Sequence, residues 1–192
     1  GYCALGLSCR NCAMGPCRVD PFGDGPQKGV CGADADVIVA RNLARTIAAG
    51  ASAHSDHGRD ILETFYHTAT GETTAYEITD VGKLERLAGE FGVEVDGREP
   101  AEIARDLGWE MMEEFGMRQE QLTFAARAPE ARRELWEKLG IMPRGVDREN
   151  VEVLHRTHMG VDNDYVNILL HALRTSLSDG WGGSMVATEL SD

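Results

Sequence analysis

The stretch that decides the chemistry of this chain spans residues 9–31 and reads CRNCAMGPCRVDPFGDGPQKGVC. Its four cysteines have the spacing Cys-x2-Cys-x4-Cys-x13-Cys and are Cys9, Cys12, Cys17 and Cys31. No cysteine follows them in the 192-residue chain. Thiolates gathered this tightly in a short segment predict that they bind one common ligand.

Three explanations of this cysteine pattern compete. Disulfides are disfavoured because the chain has five cysteines, an odd number, and no secretory apolar segment. A structural zinc site usually has two Cys-x2-Cys pairs, and this stretch has one. A 4Fe–4S cluster takes four thiolates, commonly three from a short run and one from further along the chain. The spacing therefore favours a 4Fe–4S cluster, with Cys31 as the remote ligand.

The residues between the cysteines fit a loop wrapped closely around a cluster. Glycine permits close approach of the backbone and positive φ, and proline stiffens the loop. Arg10 and Arg18 each follow a ligand cysteine, so we expect them either to offset the negative charge of a cluster or to be ordinary exposed side chains. The glycines expected to allow this close approach are Gly15, Gly23, Gly25, Gly29 and Gly32.

Composition sets limits on the function. The net charge of −13 and the absence of a basic stripe argue against nucleic-acid binding. The acidic surface is compatible with a basic electron carrier. The chain contains no run of 18 apolar residues, so the sequence predicts no membrane span. The free thiols favour a reducing cytoplasm. The chain begins without Met, within the cysteine-bearing stretch, so we expect it to be part of a longer protein.

The rest of the chain has helical periodicity and predicts a mainly α fold: a cluster-binding segment at 1–33, then a helical domain at 34–192. Asp34 or Asp36 is expected to cap the first helix, which Gly50 would end. Further caps are expected at Thr79 or Asp80, at Asp147, and at Asn163 or Asp164.

The patterns also predict several local features. Residues 73–78 are a candidate strand. The three glycines between 180 and 183 are expected to form a turn. Trp136 and Leu139 are expected to pack inward, Trp181 to be a packing residue, and His158 to be a core histidine.

Three stretches resemble the anaerobic nickel–iron carbon monoxide dehydrogenases. They are the run from Cys9 through AHSDHGR to residue 59, RTHMGVD at 156–162 and GSMVATELSD at 183–192. The resemblance extends over essentially the whole chain and corresponds to the N-terminal helical domain of the catalytic subunit. It implies a homodimer in which each such domain holds one electron-relaying 4Fe–4S cluster. The nickel–iron–sulfur centre would be held by residues beyond this chain.

By this resemblance the four clustered cysteines are the ligands of the relay cluster. A second cluster of the family, 2Fe–2S or 4Fe–4S, bridges two subunits on the dimer axis, and many members supply one of its cysteines at the position of Ser8. Cys3 is the remaining thiol. It would ligate the axis cluster together with a cysteine upstream of Gly1, or it is a free thiol at the interface.

The resemblance also implies roles for three polar residues near the active centre. His54 and His57 are one helical turn apart, on a face that continues through Asp60 and Glu63, and they would form a proton route. The alternative is an ordinary solvated helix face. An aspartate of the family lines the active centre; Asp179 is the candidate, with Asp162 and Asp192 as rivals.

The implied function is part of an enzyme that converts CO and H2O to CO2, two protons and two electrons. Its partners would be CO and CO2, a second subunit and a ferredoxin-like electron carrier. The isolated chain would be inactive. The alternative is a stand-alone iron–sulfur electron-transfer module without catalytic activity, and a weaker one is a relative of the hybrid-cluster proteins.

Overall fold

In the computed structural model, which describes residues 4–20, 22–116 and 120–191, the chain is mainly α-helical, as predicted. Two short strands come first, β1 Ser8–Cys9 and β2 Cys17–Arg18. The helices are α1 Ala35–Thr70, α2 Val81–Glu90, α3 Pro100–Glu113, α4 Glu130–Leu139, α5 Val146–Arg156, α6 Tyr165–Ser178 and α7 Ser184–Ser191. A 3-10 helix, Thr123–Arg127, precedes α4, and a π-helical segment, Asp179–Gly183, joins α6 to α7.

Aspartate caps fix the start of three helices at expected positions. Asp34 accepts a hydrogen bond from the backbone N–H of Val37, and Asp80 and Asp164 cap α2 and α6 in the same way. The expected cap at Asp147 is wrong. Gly145 is the N-cap of α5, and Asp147 lies in its first turn, where a carboxylate is favoured by the helix dipole.

The long helix α1 is the centre of the fold and packs against α3, α5, α6 and α7. The prediction that it ends at Gly50 is wrong. Gly50 lies in an exposed part of the helix, and its helical cost of about 1 kcal/mol is small against the packing of a buried stripe on both sides of it. That stripe contains Ala44, Ala48, Ala51, Ser55, Gly58 and Leu62.

The glycine-rich segment after α6 is helical, so the predicted turn is wrong. The backbone N–H of Ser184 bonds to the carbonyl of Asp179, a five-residue step that defines a π turn. A Cβ on Gly58 would lie 2.6 Å from the carbonyl oxygen of Gly183, and a Cβ on Gly182 would lie 2.5 Å from Cγ2 of Val146. These glycines therefore allow neighbouring helices to pack closely, and they do not form a turn that reverses the chain.

Three hydrophobic clusters form the core of the described chain. The largest joins the C-terminal half of α1 to α2, α3, the 3-10 helix and α7. Another joins the cysteine segment to the N-terminal half of α1, to α5 and to α6. A small one surrounds Trp136, which is buried and lies beside Trp181, in line with the packing expected of both.

Three smaller predictions are wrong. Leu139 is exposed because it is the last residue of α4. His158 is also exposed, in the connection after α5. Residues 73–78 link α1 to α2 without forming a strand. None of the described helices combines the length and apolar character needed to cross a membrane.

Candidate functional site

The four clustered cysteines lie around one concave site at the N-terminal end of α1. Strand pairing places Cys9 directly opposite Cys17 in the antiparallel β1–β2 pair, so both side chains lie on the same face. Cys9 is buried, and the other three are partly exposed. The lining residues are Cys9, Asn11, Cys12, Met14, Gly15, Cys17, Gly29, Val30, Cys31, Ala33, Ile38, Arg41 and Met159.

Glycines allow the backbone to wrap this site closely, as the sequence predicts. A Cβ on Gly15 would lie 3.0 Å from the backbone nitrogen of Cys17, and one on Gly29 would lie 3.5 Å from the Cys17 sulfur. Of the five glycines named in the sequence analysis, positive φ occurs at Gly32, where φ is 86°. The glycines of this loop therefore mainly provide space.

The cysteine segment is fixed to the helical domain by side chains. Asn42 of α1 donates hydrogen bonds to the carbonyls of Gly6, at 2.9 Å, and Ser8, at 3.2 Å. Gln27 donates to three carbonyls of its own loop, those of Asp20, Gly23 and Gly25. The loop is thus held in shape independently of the sulfur atoms.

The spacing of the thiols bears on the kind of ligand. Within the ranges that the structure describes, no three cysteine sulfurs lie within 4.8 Å of one another. Four thiolates around one tetrahedral zinc ion, at about 2.3 Å each, would be about 3.8 Å apart. The sulfurs are therefore not gathered as around a single zinc ion, and four cysteines on one concave site are the donor set that a 4Fe–4S group takes.

Arg41 is a site residue that the sequence analysis did not identify. Its side chain is buried, and Nη1 donates a hydrogen bond to the Cys31 sulfur at 3.3 Å. Burial by itself would raise the pKa of Cys31. The Arg41 hydrogen bond, backbone hydrogen bonds from Ala33 and Gly160, and the Arg41 charge outweigh burial and lower that pKa. The available signal was a charged residue within the apolar stripe of α1.

The arginines expected to lie near the cysteines, Arg10 and Arg18, are both exposed. The connection between α5 and α6 supplies further contacts that the sequence did not indicate. Asn163 donates to the carbonyl of Cys31 at 3.1 Å. Gly160, with φ of 71°, lies so close that a Cβ on it would be 3.5 Å from the Cys31 Cβ. The RTHMGVD stretch is therefore part of the wall around the remote cysteine.

A second polar site lies further along α1. Nδ1 of His54 is 2.8 Å from Oδ1 of Asp179, which the π-helical segment provides. The structure thus brings together two of the three predicted polar residues, and His57 is exposed one turn further on. His54 lies thirteen positions after Arg41 on α1, a distance of about 20 Å along the axis at 1.5 Å per residue.

Two of the predicted positions cannot be compared with the structure. Cys3 and Asp192 lie outside the described residues. The other rival aspartate, Asp162, accepts a hydrogen bond from Arg41 through its carbonyl oxygen and one from Arg156 through its carboxylate. Asp162 therefore belongs to the surroundings of Cys31.

Known proteins resemble this chain over nearly its whole length. Carbon monoxide dehydrogenase 1 of Methanosarcina mazei is 60% identical over 188 residues, which are 98% of this chain and 30% of that protein. The Ni-free carbon monoxide dehydrogenase of Thermococcus sp. AM4, a crystal structure, matches with a TM-score of 0.94 and 57% identity, over 100% of this chain and 30% of that one.

A more distant solved structure is an acetyl-CoA synthase/carbon monoxide dehydrogenase described as having NiZn[Fe4S4] and NiNi[Fe4S4] clusters in its alpha subunits. It matches with a TM-score of 0.92 and 34% identity, covering 100% of this chain and 29% of that chain. The chain thus spans about 30% of the length of the relatives it matches. The family model described as Prismane/CO dehydrogenase matches residues 7–192, and the chain therefore belongs to this family.

Proposed function

We propose that this chain is the N-terminal part of an anaerobic carbon monoxide dehydrogenase and that it holds an electron-relaying 4Fe–4S cluster. The observation that carries the proposal is the convergence of Cys9, Cys12, Cys17 and Cys31 on one concave site. The hydrogen bond from buried Arg41 to the Cys31 sulfur supports it, and so does the lack of a zinc-like group of three cysteine sulfurs among the described residues. A 4Fe–4S cluster bound there supplies one-electron transfer.

The whole-protein activity in this proposal is the reaction CO + H2O to CO2, two protons and two electrons. Membership of the family supports it, and so does the identity to proteins named carbon monoxide dehydrogenase. The nickel–iron–sulfur centre would be held by residues beyond this chain. The division into a cluster-binding segment at 1–33 and a helical domain at 34–192 is part of the same proposal.

The proposed role of the second site is to hold and move protons near the active centre. Oδ1 of Asp179 would accept a hydrogen bond from the Nδ1–H of His54 and so hold the imidazole ring in one orientation. The other ring nitrogen, Nε2, could then exchange a proton. His57, exposed one turn along α1, would continue the route toward solvent.

The proposal also includes an assembly. Two copies of the chain would share an axis cluster to which Cys3 contributes. A ferredoxin-like carrier in the cytoplasm would take the electrons.

The test of the relay cluster uses the full-length protein, purified without oxygen. Replacement Cys17→Ser or Cys12→Ser should remove about four iron and four sulfide per chain, because each removes one corner ligand of the cluster. Met14→Leu is the matched control, since Met14 lines the same site without offering a thiolate. Bound zinc without visible absorption, or iron content unchanged in both cysteine variants, would overturn the proposal.

A further inference from the structure

Arg41 is buried in an unusual way for an arginine. It is 1% exposed and lies in the α1 stripe between Ile38 and Ala44, both of which are fully buried. Removing a guanidinium from water is unfavourable by several kcal/mol unless its charge and donors are matched. The groups that Arg41 contacts therefore indicate the function of its buried charge.

The hydrogen bonds of Arg41 go to one thiol and two neutral groups. Nη1 donates to the Cys31 sulfur, and Nη2 donates to the Asp162 carbonyl at 2.7 Å and to the Asn163 side-chain oxygen at 2.8 Å. Within the described part of the chain, none of these bonds goes to a carboxylate, and Nε has no partner. Among these hydrogen-bonded groups, the Cys31 thiol is the acidic one.

Asn163 completes a closed arrangement around the remote cysteine. Its oxygen accepts from Arg41, and its nitrogen donates to the Cys31 carbonyl. The guanidinium is thus held through its other terminal nitrogen, Nη2, by a segment more than 120 residues further along the chain. A cation fixed in this way cannot swing away when the charge at the sulfur changes.

We infer that Arg41 is a positioning residue that raises the reduction potential of the cluster ligated by Cys31. Reduction adds one negative charge to the cluster, and a fixed cation that donates to a ligand sulfur stabilises the more negative state. A buried cation has a larger effect on the potential than exposed ones such as Arg10 and Arg18, because the protein interior screens charge less than water does. The inference rests on the proposed relay cluster.

The test measures the midpoint potential of the full-length protein by redox titration followed by EPR. The signal to follow is the one that Cys17→Ser abolishes. In Arg41→Gln we expect about a tenfold lower ratio of reduced to oxidised cluster at the wild-type midpoint, a shift of about 59 mV to more negative potential for one electron. Arg41→Lys, which keeps a positive charge, should shift the potential less.

The matched control is Arg45→Gln. Arg45 lies one turn further along α1 and hydrogen-bonds to Thr157 and to the Leu154 carbonyl, and it donates to none of the cysteine sulfurs that the structure describes. Its replacement should leave the midpoint unchanged. An unchanged midpoint in Arg41→Gln, or an equal shift in Arg45→Gln, would overturn the inference.

Two further observations keep the test decisive. If Arg41→Gln assembles no cluster, wild-type protein labelled with guanidinium-15N arginine is examined by pulsed EPR. A hyperfine coupling of the reduced cluster to this nitrogen, lost in Arg41→Lys, supports the inference, and its absence in the wild type overturns it. Iron that does not depend on Cys12 and Cys17 would instead overturn the proposed function itself.

Discussion

At the scale of single residues, α1 offers two histidine–carboxylate pairs that differ in origin. His54 contacts Asp179 at 2.8 Å, and this partner lies 125 residues further along the chain. His67 contacts Glu72 at 2.9 Å just beyond the end of the same helix. Both histidines are substantially exposed. A carboxylate brought from a distant segment is the kind of arrangement that orients an imidazole for proton transfer.

We expect His54→Gln to lower kcat of the full-length enzyme by a factor of about 10²–10⁴, the usual contribution of general acid–base catalysis. The iron content and the EPR spectrum of the proposed relay cluster should not change, because His54 is about 20 Å along the helix from Arg41. His67→Gln is the matched control and should retain wild-type turnover. Equal turnover in the two variants would contradict the proton role of His54.

Single residues also show what local sequence can reveal. The cysteine set is recognisable because four thiolates at this spacing have few other uses. Arg41 was missed because nothing within its own segment indicates that its guanidinium lies at a sulfur. The contact depends on the α5–α6 connection, which supplies Asn163.

At the scale of elements, the crossing of α1 over the π-helical segment is set by two glycines. The Gly58 position lies against the backbone of Gly183, and a Cβ on Gly183 would lie 3.0 Å from the His54 carbonyl oxygen. This close crossing is also what brings Asp179 to His54. Packing and the second site therefore depend on the same contact.

We expect Gly58→Ala to lower the free energy of unfolding by about 1–3 kcal/mol, as overpacking does in other cores. The added methyl would lie 2.6 Å from a carbonyl oxygen that cannot move without shifting the π segment. Denaturant unfolding of the full-length protein under anaerobic conditions measures the change.

Gly50→Ala is the matched control on the same helix. Apart from its chain neighbours and the adjacent backbone of its own helix, no described atom lies within 4 Å of the position that its Cβ would occupy. This variant should raise the free energy of unfolding by about 0.5–1 kcal/mol because alanine favours the helix more than glycine does. Destabilisation by both variants to the same extent would show that the crossing does not require glycine at residue 58.

The secondary structure was predictable where the signals are local. Aspartate caps and hydrophobic spacing act within one or two turns, and they located the starts of α1, α2 and α6. Glycine was misread at residue 50 and at residues 180–183 because the same residue can end a helix or allow two helices to touch. Only the neighbouring segment distinguishes these uses.

At the scale of the whole molecule, a buried ionic cluster joins α5, α6 and the connection after α4. Glu149 is fully buried and pairs with Arg144, Arg174 and His171. Within the described ranges, ligand atoms of Glu149, Glu152 and His171 lie within 4.8 Å of one another. Arginines already occupy both carboxylates, so the cluster is best understood as a structural ion network.

This network predicts loss of stability at acid pH. Burial raises the pKa of Glu149, but hydrogen bonds from His171 and Arg144 and the charges of Arg174 and Arg144 outweigh it and bring the pKa to about 2, below the ordinary 4.5. Its stabilising contribution is present above pH 4.5 and is lost as the pH falls toward 2. Burial lowers the pKa of His171, so acidification below 6.5 protonates the unfolded chain first and also lowers stability.

We expect Glu149→Gln to lower the free energy of unfolding at pH 7 by about 3 kcal/mol, the lower end of the usual effect of breaking a buried ion pair, because Arg144 and Arg174 would then share the single carboxylate of Glu152. Stability of this variant should also fall less steeply between pH 5 and pH 3 than that of the wild type. Thermal unfolding of the full-length protein across this pH range measures both effects. Glu85→Gln, at an exposed glutamate of α2, is the control and should retain the wild-type dependence of stability on pH. If Glu149→Gln also retained the wild-type dependence, Glu149 would not be the source of the acid sensitivity.

The sequence by itself determined the thiolate set, the mainly α class and the starts of α1, α2 and α6, because these depend on residue types and spacings within a few turns. Tertiary structure alone decided that Arg41 contacts the Cys31 sulfur, that Asp179 contacts His54, and that α1 continues through Gly50. These contacts join residues up to 125 positions apart. Their partners are set by how closely helices approach and by what each buried charge needs, and neither can be read from one segment alone.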